Sequence, residues 1–198
     1  MKYLKMLGLA AVAAMALMAF VGAGTASATT LYVKGVAQTG SVTLSSSIAS
    51  GGSAILKDTN NATVDTCKES TVTGSTKSPF SGATVTGDIE TGNLTFGGCS
   101  HKTTVLKPGT LHVAYTSGDN GTVSSSGAEV TVESTIFGAS CIAKTGTGTT
   151  IGTLNGKTGA TEHATMTING VIPMGLCGDA NWTGSYTVTS PTGLSVGS

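Results

Sequence analysis

Apolar and polar residues alternate along much of the chain, the period-two signature of strands with one buried face. Leu111-His112-Val113-Ala114-Tyr115 alternates, as do Val130 and Val132, then Met166, Ile168, Gly170 and Ile172, and finally Trp182, Gly184, Tyr186 and Val188. Shorter runs surround Leu31 to Val36, Val42 to Leu44, Ala54 to Leu56, Val64 to Cys67, Val85 to Ile89 and Leu94 to Phe96. After residue 28 no stretch carries a convincing helical stripe. Turn chemistry falls between the runs, at Asp58-Thr59-Asn60-Asn61, Lys107-Pro108-Gly109-Thr110, Asp119-Asn120-Gly121 and Asn155-Gly156. Pro followed by Gly predicts a type II turn over Lys107 to Thr110, and Asn155-Gly156 predicts a hairpin turn leading Lys157 into a returning strand. About ten short strands at this spacing predict an all-β fold, an antiparallel β-sandwich of Ig-like or jelly-roll type.

The amino terminus stands apart. Lys2 and Lys5 precede the apolar run LGLAAVAAMALMAFV, and Ala26-Ser27-Ala28 offers small residues at cleavage subsites, so residues 1–28 read as a cleaved signal peptide. Residues 29–198 are then expected to form a single domain. The run is shorter and richer in Ala than a span of about 20 apolar residues, and no later segment approaches that length, so no transmembrane segment is expected. No Cys follows the run, which argues against a lipid anchor.

Charge narrows the function classes. With Lys2 and Lys5 gone, eight lysines face ten acidic groups, and the chain holds no Arg. The basic footprint that neutralises phosphates is missing, and nucleic-acid binding is not expected. Roughly a third of the mature chain is Ser or Thr, and Thr with Val suits a pleated, half-buried surface.

Four cysteines remain, Cys67, Cys99, Cys141 and Cys177, with no C-x-x-C pair of the kind a zinc site uses, so no metal is expected. In an exported chain they are expected to form two disulfides. Of the three possible connectivities, sequential hairpins favour Cys67 with Cys99 and Cys141 with Cys177. Each would close a loop of thirty-odd residues, for which chain entropy predicts about 3–4 kcal/mol.

Several motifs almost match a chemistry and then fail. GTGTTIGTLNGKTG places Gly156-Lys157-Thr158 among glycines, but a phosphate loop needs Gly where Ile151 stands and a helix afterwards. Lys157-Thr158-Gly159 and Lys144-Thr145-Gly146 resemble the K-T-G strand of penicillin-binding enzymes, yet no S-x-x-K nucleophile accompanies them. Gly51-Gly52-Ser53-Ala54-Ile55 and Gly138-Ala139-Ser140-Cys141-Ile142 each lack the closing Gly of a nucleophile elbow. His101, His112 and His163 remain as general-base candidates only if distant Ser and Asp residues join them, and are expected on solvated faces or loops. Asp179-Ala180-Asn181-Trp182-Thr183-Gly184 opens like a calcium loop but carries Ser190 at the position of the bidentate Glu. Sequons at Asn61, Asn93, Asn120 and Asn181 are what a Thr-rich chain yields by chance. No catalytic or cofactor-binding residue is therefore assigned, no cofactor is expected, and the chain is expected not to be an enzyme. Trp182 and Tyr186 share a strand face and are the candidate ligand platform, although core packing accounts for the same pattern.

Taken as a set, DTCKESTVTG, LTFGGCS, TVLKPGTLHV, FGASCIAKTGTGTTIGTLNG and WTGSYTVTSPTGL resemble a family of uncharacterised exported β-rich proteins of actinobacteria. The resemblance runs from about residue 60 onward. It implies export, an all-β fold and the cysteine framework, and transfers no catalytic residues. The expected function is that of a secreted structural or adhesive protein of the cell surface or medium. Two alternatives are a glycan-binding module using Trp182 or Tyr186, and a subunit of an extracellular fibre that donates TTLYVKGVA to a neighbour's sheet edge. Cell-surface glycan and self-association are thus the partners considered.

Overall fold

The computed structural model describes residues 28–78, 80, 82–134 and 139–198, so the predicted signal peptide lies, apart from Ala28, outside the described residues. The expected all-β chain is found, with one 3-10 turn at Gly175–Cys177. The strands begin with β1 (Thr30–Val33), β2 (Val36–Ala37), β3 (Thr43–Ile48), β4 (Ala54–Asp58) and two long strands, β5 (Thr63–Thr76) and β6 (Val85–Cys99). Next come β7 (Lys102–Lys107), β8 (Thr110–Ser117), β9 (Asn120–Ser126), β10 (Glu129–Ser134) and β11 (Ala139–Lys144). The chain finishes with β12 (Thr149–Asn155), β13 (Thr165–Pro173), β14 (Asp179–Ser190) and β15 (Leu194–Gly197).

These strands do not build the expected sandwich. The main sheet runs β13, β12, β9, β8, β6, β5, β3, β14, and β14 then pairs back onto β13, from Thr165 opposite Thr187 to Pro173 opposite Asp179. The sheet thereby closes into an eight-stranded barrel. One stave is made of two pieces, since β3 and β4 both lie between β5 and β14 and pair with different halves of each. Sandwich and barrel alike bury every second side chain, so alternation along one strand does not distinguish them. The long-range pairing of β14 with β3 and β4 does, because it joins the last strand of the wall to its first.

Within the barrel the alternation is kept. In β13, Met166, Ile168, Gly170 and Ile172 are buried while Thr167, Asn169 and Val171 are exposed. Strand β12 breaks the rhythm with a register shift against β9 between Thr150 and Gly152, and the extra residue turns both Ile151 and Leu154 inward. The outward face carries hydroxyl pairs, Thr43 with Ser75, Ser45 with Thr73 and Thr71 with Thr95.

Both ends of the barrel are covered. At the end bearing the β8–β9 turn, β1 pairs with β15 and β2, and Leu31, Leu194 and Val196 join the barrel core. At the other end, β7, β10 and β11 form a small sheet. Its strands are insertions, β7 between β6 and β8 and the β10–β11 pair between β9 and β12. Val132, Cys141 and Ala143 on its underside pack with Val64, Ile172, Met174 and Ala180. It acts as a lid, hinged on Thr145, whose backbone bonds Gly127 and Ala128 and whose hydroxyl meets Ser125.

The turns at Asp58 and Gly109 match expectation. Asp58 Oδ1 accepts from the Asn60 and Ala62 amides, and Gly109 has the positive φ of 72° that a type II turn requires. The expected hairpin at Asn155-Gly156 is a correction. Gly156 enters a longer loop and sits so close to Asp119 and Ser195 that a Cβ has no room, while its amide donates to Asn120 Oδ1 at 3.1 Å. Glycine is there for close approach, not for a tight turn.

Gly170 tests the packing of β13 on β12, because a Cβ there would lie 2.7 Å from Ile151 Cα. Gly170→Ala is expected to lower the urea-unfolding free energy by about 1–3 kcal/mol. Gly40→Ala, with open space around it, serves as the neutral control.

Candidate functional site

The inward residues do not fill the barrel completely. Two apolar cavities of about 90 Å³ each lie inside it and share Val72, Ile89, Leu111 and Met166 on their walls. The upper one reaches the underside of the lid, where Val130, Val132 and Ala143 face it, and the lower one reaches Leu31, Leu194 and Val196.

Three aromatic rings are packed at the upper cavity. Trp182 is half-buried and stands edge-on to Phe96 at 6.0 Å and to Tyr186 at 6.3 Å between ring centroids. Tyr186 is fully buried and its hydroxyl meets Ser70 Oγ at 3.1 Å. Burial pushes the Tyr186 phenol up to about 12, the Ser70 bond opposing the shift. Tyr186 therefore offers no surface for stacking a sugar, whereas Trp182 keeps one part of its ring toward solvent and the rest on the cavity wall.

One disulfide fastens the lid and the other ties two barrel strands beside it. Cys141 of β11 is bonded to Cys177 of the 3-10 turn after β13, and Cys67 of β5 is bonded to Cys99 at the end of β6. Both expected pairings are thus present. Beside the second disulfide lies Asp65, 3% exposed, which organises the passage from β6 into β7. Its Oδ1 accepts from the amides of Thr66 and His101 and from Ser100 Oγ, and its Oδ2 from Thr103 Oγ1 at 2.5 Å. A buried carboxylate is tolerated when its lone pairs are satisfied in this way. On the outer face of the lid, Lys102 pairs with Glu133, and Lys107 and Lys144 with Glu129. The hydrogen bond from Lys107 holds the Glu129 carboxyl below its ordinary value.

The three histidines are placed separately. His101 Nδ1 lies 3.8 Å from Asp65 Oδ1, but Ser100 bonds the carboxylate directly, whereas in a hydrolase triad the imidazole stands between hydroxyl and carboxylate. His112 is held among the hydroxyls of Thr86, Thr110 and Ser126. His163 Nδ1 bonds the Val188 carbonyl at 2.7 Å. Asp179 to Gly184, the calcium-like stretch, is extended in β14 between β13 and β4, where its oxygens are spread along a strand and do not wrap a centre.

Asp65, Ser100 and Thr103 were not singled out by sequence. The signal that points to Asp65 is the mirrored pattern Asp65-Thr66-Cys67 and Cys99-Ser100-His101, legible once the two cysteines are known to be opposite each other. No family model matches the chain, and neither a curated protein nor a solved structure resembles it significantly.

Asp65→Ala would remove the acceptor that four donors share. It is expected to destabilise the protein by about 3 kcal/mol or more in denaturant titration, and to speed amide exchange in β7. Tyr186 gives a pH signature. Its folded-state value lies above the unfolded value near 10, so its contribution is complete below pH 10 and is lost as pH rises toward 12. The expected loss of about 2–3 kcal/mol across that window is checked by urea unfolding at stepped pH, and it should shrink in Tyr186→Phe.

Proposed function

We propose that the protein is an exported, non-enzymatic binding protein whose barrel encloses a small, uncharged, apolar molecule against Trp182. The observation that carries this reading is the pair of adjoining apolar cavities inside the barrel, the upper of which lies under the lid. An eight-stranded barrel has the diameter at which the interior is either filled by side chains or holds one small ligand. Each cavity is smaller than the about 150 Å³ of an engineered apolar cavity that stays dry and takes up benzene, so a guest of that size requires the side chains between the two to shift. An aromatic ring or a short branched aliphatic chain is the matching size class. Asp65 stands on the upper wall with its oxygens already taken by donors, which favours an uncharged guest.

Export is supported by the signal-like leader, by two disulfides and by the resemblance to exported actinobacterial proteins. A structural or adhesive role at the cell surface is the second reading, favoured by the hydroxyl pairs on the outward face. The strand-donating fibre reading has less support. The segment it needs is β1 and β2, and β1 is bonded to the chain's own β15 with Leu31 buried.

Trp182 is the single tryptophan of the chain and reports on the cavity wall directly. Titration with benzene, indole and short isoprenoid alcohols is expected to shift and quench its emission saturably. Ala143→Leu, which fills the space under the lid, is expected to raise the Kd at least about tenfold while the protein stays folded. A protein whose emission answers none of these compounds would leave the structural role as the better reading.

A further inference from the structure

Strands β5 and β6 place four metal-ligating side chains in one patch. Cys67 lies directly opposite Cys99 in the antiparallel register, so Asp65 and His101, each two residues away, flank the pair at the same end. Asp65 Oδ2 lies 3.6 Å from Cys67 Sγ, and Asp65 Oδ1 lies 3.8 Å from His101 Nδ1. The ligand atoms of Asp65, Cys67 and Cys99 all fall within 4.8 Å of one another. A tetrahedron with bonds of 2.0–2.3 Å to zinc has edges of about 3.3–3.8 Å. The two measured separations have that length but run from different oxygens of Asp65, and His101 lies outside the three-residue group, so opening the S–S bond has to be joined by a turn of the His101 ring for all four to meet one centre.

We propose that this patch is a redox-gated zinc site: in the dithiol form, Cys67, Cys99, His101 and Asp65 bind one Zn²⁺ in place of the disulfide. The donor set, two thiolates, an imidazole and a carboxylate, is of the kind tetrahedral zinc takes. The surroundings support it. The amides of Thr66 and His101 and the hydroxyls of Ser100 and Thr103 aim the Asp65 carboxylate, the orienting role that outer partners play at zinc centres. Asp65 and Cys67 are buried, while Cys99 and His101 are half-exposed, which leaves an entry for the ion from one side. Covalent and metal ties would join the same two strands, so the protein keeps the lid junction fastened in either redox state. This inference stands apart from the ligand reading, since it needs no guest in the barrel.

The chemistry balances with a phosphine as reductant. Water supplies the oxygen of the phosphine oxide and two protons, the disulfide takes two electrons, and two thiols result. Zinc binding then displaces both thiol protons to solvent.

The test uses the Cys141→Ser/Cys177→Ser protein, in which the remaining disulfide is Cys67–Cys99, reduced with a phosphine under argon and freed of excess reagent. Titration with Zn²⁺ is expected to show one equivalent bound with release of two protons. Co²⁺ in its place is expected to give thiolate charge-transfer and tetrahedral ligand-field bands. His101→Ala, at a half-exposed position, is expected to stay folded and to weaken the affinity about tenfold or more. The oxidised protein is expected to bind neither ion. If reduction unfolds the chain, Zn²⁺ should restore the β spectrum in circular dichroism. The proposal is overturned if the reduced protein takes up no ion, if His101→Ala binds as tightly as its parent, or if an unfolded reduced chain does not refold with Zn²⁺.

Discussion

The pairing of β13 with β14 is the constraint on which the rest depends. Nine consecutive residue pairs join two strands that the sequence separates only by the 3-10 turn, and they turn an open sheet into a ring. A ring has no free edge along its wall, so its remaining exposed backbone and apolar surface lie at the two mouths. The chain spends its other elements there. The first and last strands cover one mouth and the inserted strands cover the other. Gly152 and Gly170 follow from the same closure, because each meets a neighbouring strand too closely for a Cβ.

Closure also explains the position of the polar exceptions. A lid made of insertions has few neighbours of its own, with Glu129–Ser134 paired on both sides and little beneath it but the barrel mouth. It is secured where it leaves the barrel, by Asp65 at the exit of β6, by Thr145 at the return to β12 and by Cys141–Cys177 on the far flank. The surface ion pairs of the lid contribute little by comparison, since exposed pairs are worth about 0–1 kcal/mol. A buried carboxylate receiving four donors is a stronger determinant of geometry, because one acceptor holds Thr66, Ser100, His101 and Thr103 in place together.

What was legible in the sequence was local. Period-two burial in β13 and β14 could be read from Met166, Ile168, Ile172, Trp182, Tyr186 and Val188, because the two faces of a strand impose it wherever one is dry. The cysteine pairing and the Pro108-Gly109 turn were also readable, each resting on near neighbours or on one residue's dihedral. Closure was not, since it also needs β14 to meet β3 and β4 from the other end of the chain, and no strand's alternation reports that. The Asp65 cluster was hidden for the same reason. Searching for C-x-x-C assumes ligands on one loop, whereas D-x-C and C-x-H converge only when antiparallel register sets them side by side. Asn155-Gly156 misled in the opposite direction, because glycine serves close approach as well as tight turns and the sequence does not say which.

The distribution of polarity bears on what the barrel does. Transmembrane barrels carry an apolar band outside and polar groups inside. Here the outward rows are Thr and Ser bonded to one another, and the inside is Val, Ile, Leu, Met and aromatic. Such a barrel presents water with a surface of weak, mutually satisfied hydroxyls and keeps its apolar capacity within. Since a well-packed interior leaves few voids larger than a water molecule, the two adjoining cavities mark the place where this fold departs from simple stability. The upper of the two lies beside Trp182, on the lid side of the barrel where both disulfides and Asp65 also sit, and it is there that a functional role is best sought.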